Sequence, residues 1–189
     1  MPQLIDPQSR AQLIADAVND LLVRDGAPGV TMRALADRSG ISTSSLLHHL
    51  ESRERILRVA ATLTARAHLA DIDRRHLTER VDAHLPRDQA GVRDVAIWLA
   101  WTEYARHADF LQPAVGKWHL EERARLRGSV IDAEVPRSET TESAADAVFA
   151  HLCGLRVAMC RSMRPLGIDA ARASLRDVAL SNRCRRRVA

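Results

Sequence analysis

Apolar residues recur at helical spacing along nearly the whole chain, and no segment alternates with the period of two that a half-buried strand needs. From Ser9 onward, Leu13, Ala17, Val18, Leu21 and Leu22 form one stripe. An S-x-x-Q pattern at Ser9 and Gln12 predicts the start of that helix, and Gly26 with Pro28 beyond it predicts the stop. Two short periodic segments follow, and Ser52 is positioned to cap a long helix from Arg53 into the seventies. A polar stretch to about His84 continues it or begins another, and Leu85-Pro86 breaks it. Further helices are predicted over residues 88–107 and 110–132, the second kinked near Pro113 and Gly116. A polar loop containing Pro136 follows, then helices over 142–163 and 169–182, with Pro165 and Gly167 at the corner and Asp169 as N-cap. The fold class this predicts is all-α, with about nine helices.

The stretch from Thr31 to Leu57 carries the most specific pattern. Thr31 can cap a short helix through its hydroxyl, with Val30 and Leu35 at the two positions of a hydrophobic staple. Leu35, Ile41 and Leu46 are spaced to face inward, Ala36 is small where a second helix must cross, and Gly40 sits where the turn needs positive φ. The ordered set predicts a helix-turn-helix, whose second helix presents its N-terminal residues to base edges in the major groove. Thr43, Ser44 and Ser45 are short hydroxyls able to bond bases or phosphates, and His48 and His49 stand one turn further on. Arg33 could reach a phosphate or remain solvated. Arg53 starts a helix, where free N–H groups and the dipole favour a phosphate.

Composition changes this picture little. The net charge of +4 suggests nucleic acid, but up to Ala60 acids and arginines are equal in number, and much of the excess lies in the tail RCRRRVA. Three cysteines, Cys153, Cys160 and Cys184, have no pairing motif and predict reduced thiols in a cytoplasmic protein. The start MPQLIDPQSR has neither a basic leader nor an apolar core of a signal peptide. No uninterrupted apolar run approaches the roughly eighteen residues a bilayer span needs, so no membrane role is expected.

From Ser9 to Leu57 the sequence resembles the TetR family of one-component transcriptional regulators. The capped first helix, G-V-T-M-R-A-L-A and S-G-I-S-T-S-S-L-L-H-H-L-E-S-R-E-R-I-L carry the resemblance. Leu47, His49, Leu50, Arg53, Ile56 and Leu57 occupy the family's signature positions. Further on, IWLAWTEYARHADFL and HLCGLRVAMCRSMRPLGIDAARASL are similar to the body of the BetI-type subgroup, the choline-pathway repressors. The resemblance implies a DNA-binding domain over residues 1–57 and a helical ligand-binding and dimerisation domain over 58–189. It also implies a homodimeric repressor of duplex operator DNA, released by a small organic effector. Two departures stand out. Leu47 replaces a tyrosine that bonds a DNA phosphate in many relatives, leaving a thymine methyl or the helix surface as its contact. Glu51 replaces a commonly basic residue.

Five of the six aromatic residues (Trp98, Trp101, Tyr104, Phe110 and Trp118) fall in two adjacent predicted helices. They either pack a core or line a ligand cavity, with His151 and Met159 as further wall candidates. Rings in a cavity could hold an apolar molecule, or a quaternary ammonium by cation–π attraction of about 0.5–2 kcal/mol per contact. Val148, Leu152, Leu155 and Met159 make a heptad-like seam in the penultimate helix, beside small residues Ala147, Gly154 and Ala158. Leu175, Val178 and Ala179 add apolar surface in the last helix. Val148, Leu152, Leu155, Leu175 and Val178 are thus the candidate dimer interface, unless they pack within the chain.

The competing classes are an all-helical enzyme and a DNA-binding protein without a ligand. No metalloprotease pattern, phosphate loop or nucleophile–base set supports catalysis. His119 with Glu121 and Glu122 is the best metal-like cluster, and a solvated helix face explains it better. No cofactor, metal or catalytic residue is expected.

Overall fold

The computed structural model describes residues 6–130 and 139–184. Among them the chain is all-α, with eight helices rather than about nine. These are α1 (Pro7–Gly29), α2 (Met32–Ser39), α3 (Thr43–Leu50), α4 (Arg53–Glu79), α5 (Gln89–Ala105), α6 (Gln112–Val130), α7 (Glu139–Cys160) and α8 (Ile168–Cys184). Short 3-10 turns precede α5 (Arg80–His84) and α6 (Asp109–Leu111). The count falls because the polar stretch after Leu77 finishes α4 and closes in the first of these turns instead of forming its own helix. The predicted loop around Pro136 lies outside the described residues.

Two compact units divide the chain. The first takes the residues up to Ala67 together with Ala100–Trp118. The second takes His68–Leu99 and the residues from His119 onward.

In the first unit, α1 buries Ile14, Val18, Leu21 and Leu22, and packs against α2, which packs against α3. The N-cap of α1 is Asp6, whose carboxylate accepts from Gln8 and Ser9 N–H, each at 3.0 Å. Ser9, predicted as the cap, instead donates its hydroxyl to Asp6. A carboxylate satisfies two open amides where one hydroxyl satisfies one, and Pro7 is pre-set for the first helical position. Gly26 breaks the helix as predicted, at φ 69°, ψ −174°.

In the second unit, α7 packs on α8, and α8 on the Arg80–His84 turn. Leu126, Val130, Val148, Leu152, Leu155, Met159, Ala171 and Leu175 form one core cluster. Residues Glu142–Cys160 have a mean hydropathy of 1.2, enough by length and composition to cross a membrane. The stretch is interrupted by Asp146, His151 and Arg156, and its apolar side chains build the core. Pro113 lies in the first turn of α6, which continues through Gly116, so the expected kink is absent. Asp169 lies in the first turn of α8. Leu85-Pro86 interrupts the chain as predicted, and Asp88 caps α5 by accepting from Gly91 N–H at 2.9 Å.

Candidate nucleic-acid interface and buried charge cluster

The helix-turn-helix forms as its local chemistry dictates. Thr31 accepts from Ala34 N–H at 3.1 Å. Val30 and Leu35 are both buried, closing the staple, and Gly40 takes φ 71° at the end of α2, its N–H bonded to Ala36 O. Ser42 caps α3 by accepting from Ser45 N–H at 3.3 Å. Leu46 is buried on the inner face, while Thr43, Ser44, Leu47 and His48 are exposed together on the outer one. Ser45 is half-buried, Arg33 is exposed, and the side chain of His49 lies outside the described part.

Arg53 departs from its expected role. Its Nε and Nη2 donate to Val30 O at 3.2 and 2.9 Å, and Nη2 also donates to the Tyr104 hydroxyl at 2.9 Å. The guanidinium turns inward because the carbonyl ending α1 needs a donor there, so it ties three chain segments together rather than standing at the surface. Glu51, at φ 63° after α3, pairs with Arg55 at 3.0 Å on the surface.

The aromatic residues separate between the units. Trp101 is fully buried in the first, with Nε1 donating to Asn19 Oδ1 at 2.7 Å. Asn19 also bonds Thr64 at 3.0 Å. Trp101 and Tyr104 are tied by these hydrogen bonds within the first unit, where Trp118 is buried, whereas Trp98 falls in the second. Phe110 is half-buried there. Met159 is core, and His151 bonds Ser174 Oγ at 3.0 Å.

Trp98 belongs to the second unit and meets a cluster that the sequence reading missed. Glu122 and Arg156 are both 0% exposed. Arg156 donates to both Glu122 oxygens, through Nη1 at 3.1 Å and through Nη2, and Nη2 also donates to His84 O at 2.9 Å. His68 Nε2 donates to Glu122 Oε1 at 3.1 Å, and His84 Nδ1 lies 3.6 Å from the same oxygen. The Arg156 guanidinium lies 4.6 Å from the Trp98 ring centroid, and His119 stacks on Trp98 at 4.9 Å. Arg156 Nε and both His84 ring nitrogens have no hydrogen-bond partner.

Burial alone would raise the Glu122 carboxyl, but Arg156 and then His68 outweigh it and hold the group well below the usual carboxylate range. Burial pushes the His84 imidazole down against the pull of Glu122, and pushes His119 down likewise. It raises the Cys153 thiol, so that cysteine is no activated nucleophile. The expectation of a solvated His119–Glu121–Glu122 face is corrected. Glu122 turns inward to pair with Arg156, and no metal-holding group occurs among the described residues. One signal was available: Arg156 interrupts the apolar run of α7, one turn after Leu152 on its buried face.

The predicted dimer seam is corrected as well. Val148, Leu152 and Leu175 are 0% exposed, Leu155 is 6% exposed, and Val178 packs at the edge of the same core. They face inward because α6, α8 and the turn before α5 cover them. The outer face of α7 instead exposes Ala147, Ala150, Gly154 and Val157 at i, i+3, i+7 and i+10. The outer face of α8 exposes Ala173 and Leu180.

No family model matches the chain. It is similar to the HTH-type transcriptional regulator BetI of Burkholderia mallei, 27% identical over 175 residues, covering 86% of this chain and 87% of that protein. It is also similar to the HTH-type transcriptional regulator PksA of Bacillus subtilis, 28% identical over 116 residues; that match spans 57% of each, little more than half of the relative's length. A TetR-family regulator from Rhodococcus superposes with a TM-score of 0.74 at 18% identity, over 91% of this chain and 97% of that one. A regulator from Saccharomonospora viridis, solved in complex with choline, superposes with a TM-score of 0.65 at 20% identity, over 91% and 95%. The chain therefore has the TetR-type fold, and its sequence is similar to HTH-type regulators of that kind.

Proposed function

We propose that this protein is a TetR-type transcriptional regulator, a homodimer that binds a two-fold symmetric operator and leaves it when a small organic effector occupies the second unit. The reading rests above all on the outer face of α3, where Thr43, Ser44, Leu47 and His48 stand exposed on a helix whose inner face is fixed by Leu46. Two hydroxyls and an imidazole supply base-edge or phosphate bonds, and Leu47 supplies an apolar contact for a thymine methyl. The similarity to HTH-type regulators supports the same reading.

The effector is received around Trp98, His119 and the Glu122–Arg156 pair. The Saccharomonospora relative holds choline, yet here the Trp98 ring already faces a guanidinium of its own chain. Arg156 Nε, a donor in every state, lacks a partner, so an effector bringing an oxygen acceptor suits the cluster better than a quaternary amine. Helix α4 runs from Arg53 to Glu79 and contributes residues to both units, which makes it the lever between effector and operator. Release requires tighter binding of the effector to the conformation that does not fit DNA.

The dimer forms through the outer faces of α7 and α8. Their small residues let helices approach closely, and the apolar Val157 and Leu180 are 47% and 56% exposed.

Fluorescence anisotropy with operator duplexes recovered by selection from a random pool tests the first element. Ser44→Ala/His48→Ala should lower operator affinity by about 2–4 kcal/mol while leaving the helical CD spectrum unchanged. Unchanged affinity in that variant refutes the placement of α3 on DNA.

A further inference from the structure

A cavity of about 240 Å³ opens between the end of α4, the Arg80–His84 turn, the end of α6 and α8. Val81, Ala179 and Leu180 make its walls apolar. An engineered apolar cavity of about 150 Å³ accepts benzene, so this one has room for a substituted ring.

Its polar end is set by Asp82, which lines the cavity and is 4% exposed. Asp82 Oδ2 accepts from Arg176 Nε at 2.7 Å and lies 3.5 Å from Arg172 Nε. Asp82 Oδ1 has no hydrogen-bond partner. A buried carboxylate oxygen left without a donor carries an unmet desolvation cost that a ligand donor removes.

The surrounding charges choose the ligand class. Glu79, the second acid at the cavity, is held by Arg75 at 2.8 Å, by Arg172 at 2.9 Å and by Arg87. With Arg80 and Arg176 at the lining, five arginines surround two carboxylates, although Arg75 is shared with Asp71. A cation would enter against this excess. An anion would put its charge against the bare oxygen of Asp82. A neutral molecule with one O–H or N–H donor meets neither objection.

We infer that this cavity is a second small-molecule site, one that takes a neutral, largely apolar compound whose hydroxyl or N–H donates to Asp82 Oδ1. The aromatic rings of the body have no part in it. The site is separate from the effector cluster at Trp98, shares only Leu180 with the proposed dimer face, and needs neither effector nor operator.

Four probes of one shape test it on the unmodified full chain: phenol, benzene, benzoate and benzylammonium. NMR titration follows the methyl groups of Val81, Ala179 and Leu180. Phenol should give intermolecular NOEs to these methyls and bind at least about tenfold more tightly than benzene, the increment of one hydrogen bond to a charged group. Benzoate and benzylammonium should give no NOE. Ala179→Leu fills part of the cavity and should abolish the phenol NOEs. Benzene binding as tightly as phenol, either ion binding better than phenol, or phenol NOEs found only near Trp98 and His119 would each overturn the site. So would the absence of any NOE at millimolar phenol.

Discussion

Replacing Glu122 with glutamine tests the centre of the second unit. The substitution keeps the size and most of the shape but removes the charge that faces Arg156. The guanidinium then stays fully buried with only neutral partners: the amide oxygen of the new side chain, the His84 carbonyl at 2.9 Å and the Trp98 ring at 4.6 Å. Breaking a buried pair by neutralising one partner costs about 3–5 kcal/mol, and those contacts place this case at the lower end, near 3 kcal/mol. For a chain of this length that is a fall in Tm of about 6–12 °C. Removing both charges behaves differently, because no uncompensated ion remains. Glu122→Gln combined with Arg156→Met should recover to within about 1–2 kcal/mol of the unmodified protein. Urea unfolding followed by CD, on both single variants and the double, gives the coupling energy directly. If Glu122→Gln loses less than about 1 kcal/mol, or the second substitution recovers nothing, the pair is not what balances the buried charge.

Acid should weaken the protein in two steps. His84 and His119 are held below the ordinary imidazole value of 6.5, so the unfolded chain binds more protons and stability falls as pH drops below that value. The lowered Glu122 carboxyl contributes above the ordinary glutamate range, and that part is lost only in stronger acid. Chemical denaturation at pH 5 and pH 7 checks the first step, and equal stability at the two would contradict it. Gly154→Arg should give a folded monomer by light scattering, since a β-carbon there meets nothing within 4 Å in its own chain; a stable dimer would mean that α7 does not form the interface. Tyr104→Phe leaves Arg53 one acceptor short and should cost about 1–2 kcal/mol in urea unfolding, whereas an unchanged midpoint would show that this bond adds nothing.

The reading of the sequence succeeded where the physics is local. The Thr31 cap, the Val30–Leu35 staple and the left-handed Gly40 each involve residues within five positions, so their spacing alone reports them. Taking Ser9 as the start of α1 missed Asp6, because both residue types suit an N-cap and only the competition between them decides. The pairing of Glu122 with Arg156 spans 34 positions, and no periodicity links the two. The same limit hid the inward turn of Arg53. On α7 the difficulty was excess: apolar or small residues occupy both Val148–Leu152–Leu155 and Ala147–Gly154–Val157. Only the position of α8 and the turn before α5 shows which set lies inside.

The bond from Trp101 to Asn19 and the tie from Tyr104 through Arg53 to Val30 reach back over about two-fifths of the chain. A cut after Leu57 would strip the first helices of both anchors, together with Trp118 and Leu111. The α3 face is therefore not a cassette that recombination could pass intact between unrelated proteins. Any exchange that preserved it would have to carry residues 100–118 as well. Two separated segments would then be inherited as one unit, and drift at Trp101 or Tyr104 would be constrained by the integrity of a helix-turn-helix that neither residue belongs to.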